Sequence, residues 1–228
     1  MNTTAIVVAA GKGRRFKSNG KKPFVRLGKR PLVTYALMAF ERSPVINDII
    51  LVVDRPLIKK AASLVKKYRI NKVTHIVKGG RVRSQSVKNG LARVGKDARL
   101  VLIHDGVRPF VDKGLVKKVV NAAARFGAAI LAHPVKPTIK VSRDRSFVSY
   151  TPERRHLWEA ETPQAFRRKI IESAYKKAAR GKYYTDDAAL VECAGTKVKI
   201  VKGDYKNIKI TTVEDLKIAQ ALLRQHLL

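Results

Sequence analysis

Short runs of apolar residues alternate along the chain with stretches in which apolar positions recur every three or four residues. The runs are rich in β-branched residues and predict buried strands at residues 5–10, 49–53, 73–77, 99–103 and 128–132. The stretches between them have the spacing of amphipathic helices, at residues 31–40, 57–68, 84–94 and 115–126. Because strand and helix alternate, the pattern predicts an α/β fold: a Rossmann-like, doubly wound, mostly parallel sheet with helices on both faces.

The pattern changes after residue 133. Residues 138–141 and 147–150 alternate apolar and polar positions, and a turn is predicted between them. They indicate a protruding β-hairpin arm at residues 136–158, inserted into a single domain of residues 1–228. Because an isolated hairpin is only marginally stable in water, we expect the arm to pack on another surface, such as a second subunit.

The last third of the chain returns to helices and strands. The spacing predicts helices at residues 168–179 and directly after the YYTDD segment, and strands at 197–201 and 207–210. Thr211 and Glu214 fit a capping box for a final helix that runs to about residue 227.

Two glycines and a group of cations follow the first predicted strand. Gly11 and Gly13 allow a tight turn and a close approach of the backbone to a ligand. The cations between and after these glycines are Lys12, Arg14, Arg15 and Lys17. Backbone N–H groups and cations together favour a phosphate site. An ordinary strand-to-helix turn with solvated charges is the alternative, because the glycine spacing matches neither a Walker loop nor GxGxxG.

A second candidate position is the end of the fourth predicted strand. Asp105 and Arg108 lie there, in the segment HDGVRPF. Open α/β sheets bind their ligands at the carboxyl ends of the strands, so these side chains are candidates for ligand contact.

The charge of the chain restricts the class of partner. Its 228 residues contain 49 Lys and Arg against 17 Asp and Glu, a net charge of +32. Such a balance favours anionic partners, either phosphorylated small molecules or nucleic acid. A basic bias unrelated to function is the alternative.

Cysteine content and hydrophobic run length bear on location. The chain has one cysteine, which suits a reducing compartment, and no apolar run approaches the ~20 residues of a membrane span. We expect a cytoplasmic protein without a membrane partner.

Eight segments carry a resemblance to one family. They are AAGKGRR (9–15), Lys22, GGRVRSQSV (79–87), HDGVRPF (104–110), PVKPTIK (134–140), TPQAF (162–166), TDDA (185–188) and NIKIT (207–211). The segments appear in the order in which the family has them, and through them the chain resembles the 2-C-methyl-D-erythritol 4-phosphate cytidylyltransferases of isoprenoid biosynthesis.

The resemblance implies a reaction of CTP with a sugar-alcohol phosphate, which gives a CDP-alcohol and pyrophosphate. The attacking phosphate monoester has a second pKa of ~6 and is already ionised at neutral pH, so no general base is needed. The reaction needs alignment and positive charge, part of which Mg²⁺ on the triphosphate would supply. No protein ligands for the metal are expected, because the CTP phosphates would hold it.

The resemblance also implies roles for individual residues. Arg15 and Lys22 would stabilise the transition state, and Lys209 would face the α-phosphate. Arg154 and Thr185 would hold the substrate phosphate, while its hydroxyls would be bound by Asp105, Arg108 and Thr138. The cytidine would be surrounded by Ala9, Ala10, Gly11, Gly80, Arg81 and Ser86, with Gly106 near the ribose. The family's arm reaches the other subunit, so a homodimer is implied, in which Arg154 serves the neighbour's site.

Three positions depart from the family pattern, and three other functions compete. Lys21-Lys22-Pro23 stands where the family usually has Pro-Lys-Gln. Arg81 stands where an acidic residue commonly follows the glycine pair, and Pro137 replaces the usual Asp before Thr138. The nearest alternative is D-ribitol-5-phosphate cytidylyltransferase, against which AAG at 9–11 counts; a sugar-1-phosphate nucleotidyltransferase is more distant. A basic RNA-binding module is the alternative from another class, although no recognised RNA-binding motif is present.

Overall fold

A seven-stranded sheet forms the centre of the molecule. The computed structural model describes residues 1–11, 13, 16, 21–178 and 184–225. The strands of the sheet are β1 (Thr3–Ala9), β4 (Asp48–Val53), β5 (Val73–Lys78), β6 (Leu100–Asp105), β7 (Ala128–Pro134), β8 (Trp158–Arg167) and β9 (Lys199–Lys202). The short strands β2 (Arg26–Leu27) and β3 (Arg30–Pro31) form a separate antiparallel pair. The α-helices are α1 (Leu32–Glu41), α2 (Ile58–Lys67), α3 (Arg83–Leu91), α4 (Lys113–Phe126), α5 (Arg168–Lys177), α6 (Asp187–Cys193) and α7 (Val213–Gln225). The predicted α/β class is confirmed.

The order of the strands creates a crevice beside β1. The sheet runs β5-β4-β1-β6-β8-β7-β9, and β1 pairs in parallel with both β4 and β6. The chain therefore builds outward from β1 on one side and then returns to the other side at β6. Ligands of open α/β sheets bind at such a reversal, outside the carboxyl ends of the strands.

Alternate residues of the central strands pack on opposite layers of helices. Ala5 and Val7 of β1 belong to a core cluster with residues of α1, α2 and α4. Ile6 belongs to a second cluster, with residues of α3, α5 and α6. Burial on both faces explains the continuous apolar run of this strand.

Strand β8 was not predicted. It lies between β6 and β7 and is antiparallel to both, so the sheet is mostly but not wholly parallel. Its sequence, WEAETPQAFR, contains a proline and several polar residues, which is untypical of a central strand. The polar side chains Glu161, Thr162 and Gln164 are nevertheless buried, because each has hydrogen-bonding partners within the protein.

Two predictions in the last third of the chain are wrong in detail. Residues 207–210 form no strand and instead continue an irregular segment after β9. The capping box of α7 is shifted by one residue: the Asp215 carboxylate accepts from the N–H of Thr212 at 2.8 Å, and the Asp215 N–H donates to the Thr212 hydroxyl at 3.3 Å. The box therefore joins Thr212 and Asp215 rather than Thr211 and Glu214.

The arm is less regular than the alternating pattern predicts. Its two segments meet at one isolated bridge, between Val141 and Tyr150. The exposed fractions of Phe147, Val148 and Tyr150 are 77%, 59% and 54%. Within the described residues, these three side chains therefore lie outside the apolar core. Among the described residues, none of the helices is long and apolar enough to cross a membrane.

Candidate active site

A cavity of about 530 Å³ opens at the carboxyl ends of β1 and β6. Its wall is formed by the residues after β1, the segment before α3, the end of β6 and Lys209. This is the position that the reversal of strand order indicates, and the volume is typical of small-molecule sites.

The wall next to β1 depends on a close approach between two backbone segments. A Cβ atom on Gly79 would lie 2.1 Å from the Cβ of Ala10, so only glycine fits there. The Gly79 N–H donates to the carbonyl of Val53 at 2.8 Å, which fixes the segment at the end of β4. Gly11, by contrast, is exposed, and a Cβ added there would meet no atom of the described residues within 4 Å. Gly11 therefore faces open space in the cavity.

The segment before α3 is held by side chains of that helix. The Gly80 N–H donates to the Ser86 hydroxyl at 3.0 Å, and the Arg81 N–H donates to the side-chain oxygen Oε1 of Gln85 at 3.0 Å. Ser86 is buried, so it fixes the shape of the loop as well as lining the cavity.

Asp105 is the central charged group of the cavity. Its Oδ1 accepts from Arg83 Nε at 3.0 Å, and its Oδ2 lies 2.6 Å from Lys209 Nζ. Burial alone would raise the pKa of Asp105, but the charges of Arg83 and Lys209 outweigh burial and hold that pKa well below its usual range. The carboxylate is therefore ionised throughout the physiological pH range.

Lys209 is positioned by buried residues on both sides of it in the sequence. Asn207 donates from Nδ2 to Glu161 Oε2 at 2.6 Å and to the carbonyl of Thr162 at 2.9 Å. The Ile210 N–H donates to the carbonyl of Val107 at 3.0 Å, and the Ile210 side chain is buried. The irregular segment is thus fixed at two points, and Lys209 projects between them.

The buried polar residues of β8 hold three segments around the cavity. The Thr162 hydroxyl accepts from the Asp105 N–H at 3.0 Å, and Glu161 accepts from Asn207. Gln164 donates to Asp186 Oδ2 at 2.7 Å and accepts from the Ala188 N–H at 3.1 Å, at the start of α6. A polar central strand thereby fixes the end of β6, the segment of Lys209 and the start of α6.

The neutral state of His104 completes this arrangement. Burial lowers the pKa of His104 to about 4, so the imidazole is neutral at physiological pH. Its Nε2 lies 3.1 Å from the carbonyl of Arg108 and must donate there, which leaves Nδ1 to accept from the Thr162 hydroxyl at 3.1 Å. Thr162 is thereby oriented to accept from Asp105.

Comparison with known proteins identifies the family of the chain. The sequence profile of the 2-C-methyl-D-erythritol 4-phosphate cytidylyltransferases (IspD) matches residues 3–225. The chain belongs to this family.

Relatives and solved structures of the cytidylyltransferase family match over nearly the full length. The 2-C-methyl-D-erythritol 4-phosphate cytidylyltransferase of Alkaliphilus metalliredigens is 46% identical over 224 residues, which are 97% of this chain and 93% of that protein. The crystal structure of 4-diphosphocytidyl-2C-methyl-D-erythritol synthase from Anaerococcus prevotii aligns with a TM-score of 0.85 at 36% identity and covers 98% of each chain. The cytidylyltransferase from Thermus thermophilus aligns with a TM-score of 0.78 at 30% identity, over 96% of this chain and 98% of that one.

Most residues that the family resemblance singled out for the nucleotide lie together. The residues assigned to the nucleotide or to the transition state that line the cavity are Ala9, Ala10, Gly11, Lys22, Gly80, Arg81, Ser86 and Lys209. Asp105, which the resemblance assigned to the second substrate, lines the same cavity. Gly106 lies directly behind the wall, where an added Cβ would stand 3.2 Å from the Cβ of Ala9. Lys22 begins the short 3₁₀-helix Lys22–Phe24, whose Pro23 and Phe24 are buried. Arg15 falls outside the described residues.

The residues that the resemblance assigned to the second substrate are more dispersed. Arg108 is buried behind the cavity and donates from Nη1 to the carbonyl of Asn207 at 2.6 Å. Thr138 and Arg154 are exposed on the arm, and Arg154 donates from Nη1 to the carbonyl of Lys136 at 2.8 Å. Thr185 is exposed just before α6. None of these four lines the cavity of this single chain.

Arg83 also lines the cavity, and the residue-by-residue resemblance gave it no role. It pairs with Asp105 and with Asp187, which lie 22 and 104 residues away in the sequence. The signal available in the sequence was its place in the GGRVRSQSV segment; its partners follow only from the fold.

Proposed function

We propose that the chain transfers the cytidylyl group of CTP to 2-C-methyl-D-erythritol 4-phosphate. An oxygen of the substrate phosphate attacks the α-phosphorus of CTP, and the bond from that phosphorus to the bridging oxygen of the β-phosphate breaks. The products are 4-diphosphocytidyl-2-C-methyl-D-erythritol and pyrophosphate. The observation that supports this most is one cavity uniting the glycine turn, the 79–87 segment, Lys22 and Lys209, in a chain matched by the family over residues 3–225.

The chemistry of the cavity suits the joining of two phosphates. The attacking phosphate is ionised at neutral pH, with a second pKa of ~6, so the site needs no general base. Lys22 and Lys209 would offset the charge that builds on the phosphoryl oxygens and the leaving pyrophosphate. Asp105 would accept hydrogen bonds from hydroxyl groups of the alcohol once one of its carboxylate oxygens no longer contacts Arg83 or Lys209.

We further propose that Mg²⁺ acts with CTP and is held mainly by its phosphates. Among the described residues, no group of three or more His, Cys, Asp or Glu could hold a metal ion. The cavity offers the carboxylates of Asp54 and Asp105, and Lys21 lies 2.8 Å from Asp54. A site with only a few carboxylates suits Mg²⁺, because this ion keeps several waters and binds substrate phosphates. Bound to CTP, the ion would neutralise charge on the triphosphate.

The arm supports a further part of the proposal, a homodimer with shared active sites. Phe147, Val148 and Tyr150 expose apolar side chains on the arm, and apolar clusters of this kind mark protein interfaces. Arg154 and Thr138 lie on the same arm, away from the cavity of their own chain. A two-fold arrangement would bring them to the partner's cavity. A cytoplasmic location stays a prediction from the sequence.

Pyrophosphate release tests the proposed reaction. The chain is incubated with CTP and Mg²⁺, and either 2-C-methyl-D-erythritol 4-phosphate or D-ribitol 5-phosphate is added. We expect turnover with the first substrate and little with the second, and no turnover when EDTA is present. Equal or faster turnover of ribitol 5-phosphate would contradict the substrate assignment. The family match does not favour the ribitol phosphate or RNA-binding alternatives.

A further inference from the structure

Arg83 joins two carboxylates that belong to different parts of the fold. It is the first residue of α3; its Nε donates to Asp105 Oδ1 at 3.0 Å and its Nη1 to Asp187 Oδ2 at 2.7 Å. Asp105 ends β6 and Asp187 begins α6. One guanidinium therefore connects the charged centre of the cavity with the helix that follows Thr185.

The connection extends beyond the arginine on both sides. The second oxygen of Asp105 lies 2.6 Å from Lys209 Nζ, and Asp187 Oδ1 accepts from the Tyr175 hydroxyl at 2.7 Å. The side chain of Asp187 is 1% exposed, whereas that of Arg83 is 27% exposed. A row of contacts thus runs from the cavity into the core, in the order Lys209, Asp105, Arg83, Asp187 and Tyr175.

We propose that Arg83 is a positioning residue for cytidylyl transfer, which holds Asp105 and the start of α6 in one fixed arrangement. The inference rests on the proposed function and adds a residue to it. An arginine suits this role because its planar fork fixes two acceptors at once, which a lysine ammonium does not. Through Asp105 it acts on Lys209, and through Asp187 it acts on the segment of Thr185.

The local geometry favours positioning over simple stabilisation. Arg83 Nη2 is buried and has no hydrogen-bonding partner among the described residues, an arrangement that lowers stability. Buried ion pairs in general contribute little net stability compared with neutral side chains of similar size. The place of Arg83 at the edge of the cavity is therefore explained better by its orientation of two carboxylates than by a contribution to stability.

The first test replaces the arginine and separates the kinetic constants. In Arg83→Gln we expect kcat/KM for methylerythritol phosphate to fall on the order of 10²-fold, because displacement of orienting groups has effects of that size. The Kd of CTP, measured by calorimetry, should change by less than about 3-fold, because the nucleotide wall at Gly79 and Gly80 is held by other contacts. Arg83→Lys should recover part of the lost kcat/KM. A large loss of CTP affinity with unchanged kcat would overturn the inference, since it would indicate direct nucleotide binding.

The second test removes the effect on folding. Arg83→Gln leaves Asp187 buried without its cation and should lower the Tm. In Arg83→Gln/Asp187→Asn this unpaired charge is gone, so we expect the Tm to return towards that of the wild type. Asp105 keeps Lys209 but still lacks Arg83 in the double variant, so kcat/KM should stay low. Recovery of both Tm and kcat/KM would show that Arg83 serves only stability, and would overturn the inference.

A matched control uses an arginine outside the cavity. Arg168 lies 2.7 Å from Glu172 through Nε, and its side chain is 23% exposed. Arg168→Gln should alter the Tm alone; an equal loss of kcat/KM in both variants would contradict a specific role of Arg83. A wild-type chain that releases no pyrophosphate would overturn the proposed function and this inference with it, whereas an active wild type with unaffected Arg83 variants would overturn the inference alone.

Discussion

At the scale of single residues, Lys22 and Lys209 are held in different ways around one cavity. Lys209 is paired with Asp105 and fixed by its neighbours Asn207 and Ile210. Lys22 starts a short helix whose next two residues are buried. Both side chains therefore leave well-anchored backbone, as the proposed transition-state contacts would require.

We expect Lys22→Ala to lower kcat by at least ~10²-fold, as removal of a charge contact to a transition state typically does. The fold should persist, because Pro23 and Phe24 still anchor the segment. Steady-state pyrophosphate release, with circular dichroism of both proteins, measures the two effects. Lys29→Ala is the matched control: Lys29 is exposed in the turn between β2 and β3, so its loss should leave kcat nearly unchanged. Near-normal turnover in folded Lys22→Ala would remove this lysine from the mechanism.

Gly79, which packs against Ala10, and Gly11, which lines the cavity, should respond oppositely to alanine. Gly79→Ala would place a Cβ 2.1 Å from the Cβ of Ala10, so we expect a clear fall in Tm. The added methyl group of Gly11→Ala meets no atom of the described residues within 4 Å, so the Tm should stay unchanged, while the KM for CTP should rise. Thermal melts and a CTP titration distinguish the two. A stable Gly79→Ala variant, or an unchanged KM in Gly11→Ala, would contradict this account of the wall.

The residues of the cavity wall at 9–11 and 79–80 could be predicted because they lie in short continuous segments. AAG at 9–11 follows a buried strand, and GG at 79–80 precedes a helix, so local pattern and resemblance indicate the same positions. Arg83 was different, since its role depends on Asp105 and Asp187, which the fold brings to it from 22 and 104 residues away. Pairs so distant in sequence leave no periodic signal in a single chain.

At the scale of elements, β8 explains why an irregular segment and a helix start lie next to the cavity. Apolar runs predicted the other large strands, because burial on both faces usually excludes polar residues. In β8 the buried polar residues bind neighbouring segments instead, through Glu161 to Asn207 and through Gln164 to Asp186. These polar residues are also why the sequence of β8 is untypical of a central strand. Residues 207–210 have the opposite character, with apolar spacing but backbone that turns to reach Val107.

The cap of α6 gives a prediction about this element. Asp186 accepts from the Ala189 N–H at 2.9 Å and from Gln164 Nε2 at 2.7 Å. We expect Asp186→Ala to lower the free energy of unfolding by about 1 kcal/mol, as loss of an N-cap does, and to lower kcat/KM for methylerythritol phosphate by about 10-fold or more, because Thr185 precedes the cap.

Asp112→Ala is the control for this prediction. Asp112 caps α4 through the Leu115 N–H at 2.8 Å and lies outside the cavity wall. Its loss should lower stability by a similar ~1 kcal/mol and leave kcat/KM unchanged. Urea unfolding and initial rates compare the two variants. Equal kinetic effects in both would show that the start of α6 has no special connection with the substrate.

At the scale of the whole molecule, the net charge and the arm have opposite effects on the association of two chains. A net charge of +32 on each chain repels a second copy at long range. The exposed Phe147, Val148 and Tyr150 of the arm supply apolar surface that association would bury. A dimer through the arms is therefore expected to tighten as salt screens the repulsion.

Mixed dimers test whether the arm completes the partner's site. Lys22→Ala and Arg154→Ala should each be nearly inactive alone. If the two variants re-associate at random in equal amounts, about half of the dimers contain one chain of each kind. Each such dimer has one site with an intact Lys22 from one chain and an intact Arg154 from the other, so roughly a quarter of the wild-type activity should return.

The alternative geometry gives a different result in the same experiment. If Arg154 served the cavity of its own chain, every site in a mixed dimer would still lack one of the two cations, and mixing would restore nothing. Exchange of subunits is verified with two differently tagged chains, co-purified after mixing. Arg143→Ala, on the tip of the same arm and exposed, is the matched control: mixed with Lys22→Ala, it should give about half of wild-type activity, because every intact body remains active. No recovery with Arg154→Ala in dimers that have exchanged would rule out the shared site.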